Sequence, residues 1–320
     1  MVLSVFNGER HLERSLRSIL DQTLADFELI VVDDGSTDGT PEILAGLQRD
    51  DSRAVVVRQE NRGLTASLNR GMGAARGAYL ARQDADDLSF GTRLERQSAY
   101  LDANPAVAAV GSAADVIDAS GAVTGALTVA HGAHAARRAL LSLRTTPVHG
   151  SMMMRASAIT EVGGYREAFR ASQDYDLWLR LSERYEIDNL GEILYQWRLQ
   201  GASVYATRRA VQLKYAAIAL AFARERAACG QDSYQLLVEC SGDLDWFIAR
   251  YPHRAFVQAM WGELLLRGLG NSAAVRDHFR RAVGGGYLHP WTVGLFGWTQ
   301  LRLPWPGGRP LAPAETPGSR

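Results

Sequence analysis

Residues 27–39 read FELIVVDDGSTDG. The first six form a nearly continuous apolar run, the pattern of a strand buried on both faces. The run stops at Asp33-Asp34-Gly35-Ser36-Thr37-Asp38-Gly39, a stretch dense in turn formers. Thr40 can then cap a helix with Pro41 at its first position and Ile43, Leu44 and Leu47 facing inward. Strand, polar turn and helix make one βα unit, and similar units lie on either side. Before it, Met1 to Phe6 reads as a short strand, followed by a helix with Leu12, Leu16, Ile19 and Leu20 on one face. After it, strands are predicted at 54–58 and 79–82, with a helix at 63–76 between them. This repetition predicts an α/β fold with a mainly parallel central sheet flanked by helices.

From Leu88 the pattern changes. A helix is predicted at 93–101 and strands at 107–117 and 122–129, joined by the turn Asp118-Ala119-Ser120-Gly121. A further strand is predicted at 148–154, an amphipathic helix at 174–184 and extended chain at 187–197. Beyond Val204 helices are predicted at 204–228, 234–250, 254–269, 273–283 and 291–303. Residues 304–320 hold five of the 10 prolines and read as a flexible tail. The expected division is an α/β region at 1–203, an α-helical region at 204–303 and the tail at 304–320.

Composition removes several classes of function. The 35 Lys+Arg balance the 35 Asp+Glu, so the net positive field of a nucleic-acid binder is missing and no nucleic-acid partner is expected. The two cysteines, Cys229 and Cys240, cannot build a disulfide framework or a cysteine zinc site. No apolar run reaches the roughly 18 residues of a membrane-spanning helix. The protein is expected to be cytoplasmic, with peripheral contact at the inner face of a membrane as an option. That option comes from Trp291, Leu295 and Trp298, which share a helical face in a Trp-rich segment, although packing against protein explains the segment as well. Gly71-Met72-Gly73 closes a helix rather than opening one, which argues against a dinucleotide fingerprint.

In an open parallel sheet, chemistry belongs at the carboxyl ends of the strands. Three polar clusters fall there: Ser4-Val5-Phe6-Asn7-Gly8-Glu9, Asp33-Asp34-Gly35-Ser36 and Asp84-Ala85-Asp86-Asp87. Adjacent carboxylates repel unless a cation or hydrogen-bond donors compensate them. The Asp84, Asp86 and Asp87 triplet therefore points to a hard divalent ion such as Mg²⁺ or Mn²⁺, or else to a solvated turn.

Together with Asn61-Arg62-Gly63, Pro147-Val148-His149-Gly150-Ser151, Gly163-Gly164-Tyr165 and Gln173-Asp174-Tyr175-Asp176-Leu177-Trp178-Leu179-Arg180, these clusters resemble, in order and spacing, a family 2 glycosyltransferase of the GT-A fold. The resemblance runs from about Met1 to Arg198 and makes 1–203 the expected catalytic domain. It implies an inverting, metal-dependent enzyme that moves a sugar from a nucleotide-diphosphate sugar to a hydroxyl of a glycan or lipid-linked acceptor. Ser4 and Phe6 would line the base pocket, and Asp34, or Asp33 beside it, would hydrogen-bond the base. Asn61 and Arg62 would lie near the nucleotide. Asp84 would approach the ribose and the metal's water shell, and Asp86 would bind the metal. His149 would contact the diphosphate or complete the metal shell, and Asp174 would be the catalytic base. The family often has Glu before that Asp; Gln173 stands here and cannot act as a base. Asp176 is the rival carboxylate, or a charge favoured at a helix start. Trp178 reads as core or as an acceptor platform, and Arg180 as a surface charge or a phosphate partner. Two alternatives stay open: another nucleotide-sugar enzyme, such as a nucleotidyltransferase or hydrolase, and a non-catalytic nucleotide-sugar-binding protein.

Overall fold

A computed structural model of the protein describes residues 1–142, 147–199, 202–269 and 273–284. The chain divides into two compact units: Met1–Glu167 with Gln173–Gln200, and Ala168–Ser172 with Gly201–Arg320.

The first unit runs β1 (Val2–Val5), α1 (Glu9–Leu20), β2 (Leu29–Asp33), α2 (Thr40–Asp50), β3 (Ala54–Arg58), α3 (Leu64–Ala74), β4 (Tyr79–Asp84), β5 (Leu88–Ser89), α4 (Arg93–Ala103), β6 (Val107–Ile117), β7 (Val123–Leu127), α5 (Ala133–Leu141), a 3₁₀ turn (His149–Ser151), β8 (Met153–Arg155), α6 (Ala156–Glu161), α7 (Gln173–Ser182) and β9 (Glu186–Arg198). The sheet order is β3-β2-β1-β4-β8-β6-β9-β5, with β7 paired to β6 outside this path. β3, β2, β1 and β4 are all parallel. The other half is mixed, with β8 antiparallel to both β4 and β6 and β9 parallel to β6.

Every residue of β2 is buried, as a strand covered on both faces requires. Leu12, Leu16 and Ile19 of α1 pack with Leu3, Val5, Leu29 and Val31 in the core beneath the parallel strands. Arg93 lies fully buried where the two halves of the sheet meet. Its guanidinium donates to Arg82 O (2.6 Å), Ser89 Oγ (2.8 Å) and Gln97 Oε1 (3.1 Å). Burial pulls its pKa down to about 10, so it remains charged at neutral pH.

Several local expectations are corrected. Thr40 is not the cap of α2: its Oγ1 accepts from Gly8 N–H (2.9 Å), while its own N–H donates to Asp38 (3.0 Å). The strand expected over 148–154 is a 3₁₀ turn leading into a short β8. There the Ser151 hydroxyl accepts from Ser112 N–H (3.1 Å) and donates to Val148 O (2.9 Å). The helix α5 and the strand β5 were not expected.

The second unit contains α8 (Ala202–Cys229), α9 (Tyr234–Glu239), α10 (Leu244–Arg250), α11 (Arg254–Leu269) and α12 (Ala273–Gly284). The single helix expected over 234–250 is broken at Ser241 (φ 49°) and Gly242 (φ 96°), and Asp243 caps α10 by accepting from Asp245 and Trp246 N–H. Phe222, Phe247 and Tyr251 form an aromatic core with centroids 5.0–6.0 Å apart. Cys229 and Cys240 are both free thiols. The expected helix at 291–303, its Trp-rich face and the tail at 304–320 lie outside the described residues. Among the described residues, no helix is long and apolar enough to cross a membrane.

Removing the Arg93 guanidinium would strip buried acceptors of their donor. Arg93→Met is therefore expected to cost roughly 2–4 kcal/mol, read as a lower urea midpoint with an unchanged slope.

Candidate active site

Val5 is in register with Asp33, and Ser4 with Asp84, so β1, β2 and β4 end level with one another. Ser4 is half-buried there, and Phe6, just beyond, is 51% exposed. Asn7 takes a positive φ of 52° and ties the first two loops together. Its N–H donates to Ser36 Oγ (2.9 Å), and its Oδ1 accepts from Thr37 N–H (2.8 Å).

The two carboxylates at the end of β2, Asp33 and Asp34, are buried and already engaged. Asp33 accepts from Ser36 N–H (2.9 Å) and lies 3.3 Å from Arg58 Nε. Asp34 accepts from Gln59 Nε2 (2.7 Å) and from the N–H groups of Arg62 and Gly63 (both 2.8 Å). Asp34 thus shapes the loop that carries the exposed side chains of Asn61 and Arg62. Gly35 makes this closure possible: its φ is +83°, and a Cβ there would stand 2.9 Å from Asn61 N.

The Asp84–Asp87 turn is braced from beneath. Asp84 forms a two-point pair with Arg82, both contacts at 2.6 Å, and the Arg82 side chain is almost fully buried. Although burial opposes it, the Asp84 carboxylate drives the Arg82 pKa above its ordinary value, so this cation is permanent. Asp87 is buried and accepts from the Tyr195 hydroxyl (2.8 Å) and Arg198 N–H (2.6 Å). Burial first, then the charges of Asp84 and Asp86, push the Asp87 carboxyl well above the usual carboxylate range. Arg198 Nε also donates to Asp86 O (2.7 Å), and the Tyr195 hydroxyl accepts from Asp84 N–H (3.1 Å). A Cβ on Gly150 would fall 2.0 Å from that hydroxyl, so only glycine lets Tyr195 reach the turn.

Asp174 is the second residue of α7 and is partly exposed. Desolvation raises its pKa above the ordinary value; the Tyr175 N–H and Arg82 pull the other way, and Asp84 adds to the rise. Asp174, Arg82 and Asp84 therefore share one electrostatic neighbourhood. His149 joins it, with Nε2 bonded to the Tyr165 hydroxyl (2.7 Å) and its ring edge-on to Trp178. Burial, and then Arg82, hold the His149 pKa well below its usual value, so the imidazole is neutral.

The remaining residues of this helix are structural. Asp176 is wholly buried and paired with Arg180 (2.8 Å) and Arg166 (3.7 Å). Arg180 is neither a surface charge nor placed for phosphate, because it is buried and donates to Val162 O (2.6 Å) and Gly164 O (2.8 Å). Trp178 is core, with no exposed surface.

Among the described residues, no group of three or more His, Cys, Asp or Glu side chains is placed to hold a metal ion. Asp87 turns inward to Tyr195 and Arg198, while Asp84, paired with Arg82, and Asp86 are partly exposed and close in sequence. Their charges already strain Asp87, so a cation would be favoured there. Two carboxylates completed by substrate phosphates are the usual setting for Mg²⁺, and the residues present fit that set.

Comparison with known proteins agrees with the fold. The family described as Glycosyl transferase family 2 matches residues 1–163. The chain is 39% identical over 203 residues to the putative glycosyltransferase EpsE of Bacillus subtilis, covering 62% of this chain and 72% of that protein. It is 31% identical over 209 residues to the O-antigen biosynthesis glycosyltransferase WbnJ of Escherichia coli, covering 63% and 80% of the two chains. Among solved structures, the fold is similar to that of the mannosyltransferase PcManGT from Pyrobaculum calidifontis in complex with GDP-Man and Mn²⁺. That match has a TM-score of 0.54 at 16% identity and covers 93% of this chain and 83% of that one.

Arg82, Tyr195 and Arg198 were not singled out from the sequence, and Tyr165 was quoted only within the Gly163-Gly164-Tyr165 motif. Arg82 carried a signal, a charge inside an apolar strand two residues before the first carboxylate; Tyr195 and Arg198 carried none.

The neutral His149 has a consequence for stability. The unfolded chain takes up a proton near pH 6.5, while the folded imidazole resists it, so stability is expected to fall as pH drops below that value. His149→Phe should flatten this loss, read as a smaller decrease in melting temperature between about pH 7 and pH 5.5.

Proposed function

This chain belongs to glycosyl transferase family 2, and from that membership we infer that its carboxyl-edge site transfers a sugar from a nucleotide-diphosphate sugar to an acceptor hydroxyl by single displacement. One observation carries this reading: the charge of Asp84, at the end of β4, acts on Asp174, at the start of α7. The carboxylate assigned to the donor side and the one assigned to the acceptor side therefore lie close enough to feel each other's charge.

Ser4 and the exposed ring of Phe6 are assigned to the nucleotide base. Asp34 acts mainly by folding the Asn61–Arg62 loop over the nucleotide, since its oxygens are engaged by that loop. Asp86, with Asp84 beside it, would hold the divalent ion, Mg²⁺ or Mn²⁺, against the diphosphate. When bound, that ion supplies Lewis-acid stabilisation of the charge developing on the leaving group. Arg82 fixes the Asp84 carboxylate and adds a permanent cation to the same field.

Asp174 removes the proton from the acceptor hydroxyl. The oxygen attacks the anomeric carbon from the face opposite the diphosphate, a C–O bond forms there, and the bond to the diphosphate oxygen breaks with its electron pair. The anomeric configuration inverts. Desolvation makes Asp174 more basic than an ordinary aspartate while its helix-start N–H groups keep the ionised form accessible. An acceptor hydroxyl on a glycan, free or lipid-linked, suits the O-antigen biosynthesis named for the Escherichia coli relative.

Asp174→Asn and Asp86→Ala are each expected to lower transfer by about a hundredfold or more. Full activity in either variant would sink that residue's assignment. The parent rate should rise with pH through an apparent pKa above the ordinary carboxylate value of about 4, because the base works only when deprotonated. Nuclear magnetic resonance of the product should show an anomeric configuration opposite to that of the donor.

A further inference from the structure

Tyr195 lies in β9, in register with Ser89 of β5 and Ala114 of β6. It has no exposed surface, and the Arg93 guanidinium stands over its ring, 5.1 Å from the centroid. A phenol so deeply buried needs partners for its hydroxyl. Both partners belong to one four-residue turn. The hydroxyl accepts from Asp84 N–H (3.1 Å) at the start of the turn and donates to Asp87 Oδ2 (2.8 Å) at its end. One oxygen from β9 thus links the two ends of the segment that carries Asp86.

Other elements of the same α/β unit tie down the backbone of that segment. Asp84 O accepts from Asp87 N–H (3.3 Å) and from Ser15 Oγ of α1 (3.2 Å). Asp87 O accepts from Gln83 Nε2 (3.2 Å). Arg198, three residues beyond Tyr195 in β9, donates its N–H to Asp87 Oδ1 (2.6 Å) and its Nε to Asp86 O (2.7 Å). Space for the phenol is kept by a further element, the 3₁₀ turn: a Cβ on Gly150 would stand 2.0 Å from the hydroxyl and 2.5 Å from Cζ. The turn is therefore held in one shape from behind, while Asp84 and Asp86 are partly exposed.

We propose that Tyr195 is a positioning residue for the divalent ion. Its hydroxyl, by joining Asp84 N–H to the Asp87 carboxylate, holds the turn in the shape that Asp84 and Asp86 need to bind the ion, and Gly150 admits that hydroxyl. Mg²⁺ demands near-ideal octahedral geometry, so carboxylates on a loose turn hold it poorly. Partners behind the ligands supply the missing order. Tyr195 does this from the core, without touching donor or ion. The proposal rests on the reading of Asp84 and Asp86 as the metal carboxylates.

The test uses the full chain and titrates Mn²⁺ by water-proton relaxation, in separate arms with UDP and with GDP. Tyr195→Phe removes one oxygen and keeps the ring. It is expected to raise the Mn²⁺ dissociation constant by about tenfold to a hundredfold, the usual effect of losing a partner behind a metal ligand. With a sugar nucleotide that the parent turns over, kcat at saturating Mn²⁺ should stay within about threefold, as a loss confined to binding requires. In the metal-free protein, hydrogen exchange should rise at the Asp87 amide, whose own bond to Asp84 O the substitution leaves in place. Gly150→Ala, which drives the phenol away instead of trimming it, should weaken Mn²⁺ in the same direction. Tyr100→Phe is the control. It cuts another phenol–carboxylate bond to β9, from the Tyr100 hydroxyl to Asp188 Oδ2 (2.6 Å), and should leave Mn²⁺ affinity unchanged.

An unchanged Mn²⁺ dissociation constant in Tyr195→Phe, with a parent that binds, would overturn the proposal and leave the metal reading standing. An equal loss in Tyr100→Phe would overturn it too, by marking the effect as general loosening of the unit. If Tyr195→Phe does not fold, Gly150→Ala decides by the same titration. A parent that binds no Mn²⁺ with either nucleotide would overturn both the proposal and the reading beneath it.

Discussion

Carboxylates buried or crowded without compensation are costly, and this fold gathers Asp33, Asp34, Asp84, Asp86, Asp87 and Asp174 near one sheet edge. Much of the surrounding structure supplies the compensation. Arg58 and Ser36 meet Asp33, and the 59–63 loop meets Asp34. Arg82 meets Asp84, and Tyr195 and Arg198 meet Asp87. These partners come from β3, β4 and β9 and from loops far apart in sequence. The topology that makes them neighbours is therefore also what makes the site electrostatically tolerable. The formal charge of zero conceals this concentration of negative charge.

The division of labour among the acids follows from how each is compensated. Asp33, Asp34 and Asp87 are buried and engaged by protein donors, so they shape the turns. Asp84 and Asp174 remain partly exposed, each under the influence of Arg82. Asp176, two residues from Asp174, is sealed against Arg180. Aspartates so close in sequence thus differ in exposure because the helix turns one toward solvent and the other into the core.

The βα units were legible because FELIVVDDGSTDG and its neighbours carry hydrophobic runs that end in turn formers, and parallel pairing follows from that alternation. The candidate site residues were legible as motifs at strand ends. Their compensation was not, because Tyr195 and Arg198 look like ordinary residues of an extended segment until the sheet brings β9 close to β4. The break between α9 and α10 had a signal in Ser241-Gly242-Asp243, a turn followed by a helix cap, which the apolar periodicity on both sides masked. The 3₁₀ turn at His149 had none, since it depends on Ser151 meeting β6 and Gly150 meeting Tyr195.

The central claim is that this edge holds a nucleotide diphosphate through a divalent ion at Asp86 while Asp174 works from the other side. The most direct measurement is a thermal-shift panel of nucleotide-diphosphate sugars with and without Mn²⁺, run on the parent, Asp86→Ala and Asp174→Asn. A ligand that binds the folded state raises its melting temperature by mass action. The account predicts a metal-dependent rise for at least one sugar nucleotide, kept in Asp174→Asn and lost in Asp86→Ala. No metal-dependent rise with any of them, or a rise undiminished in Asp86→Ala, would contradict it.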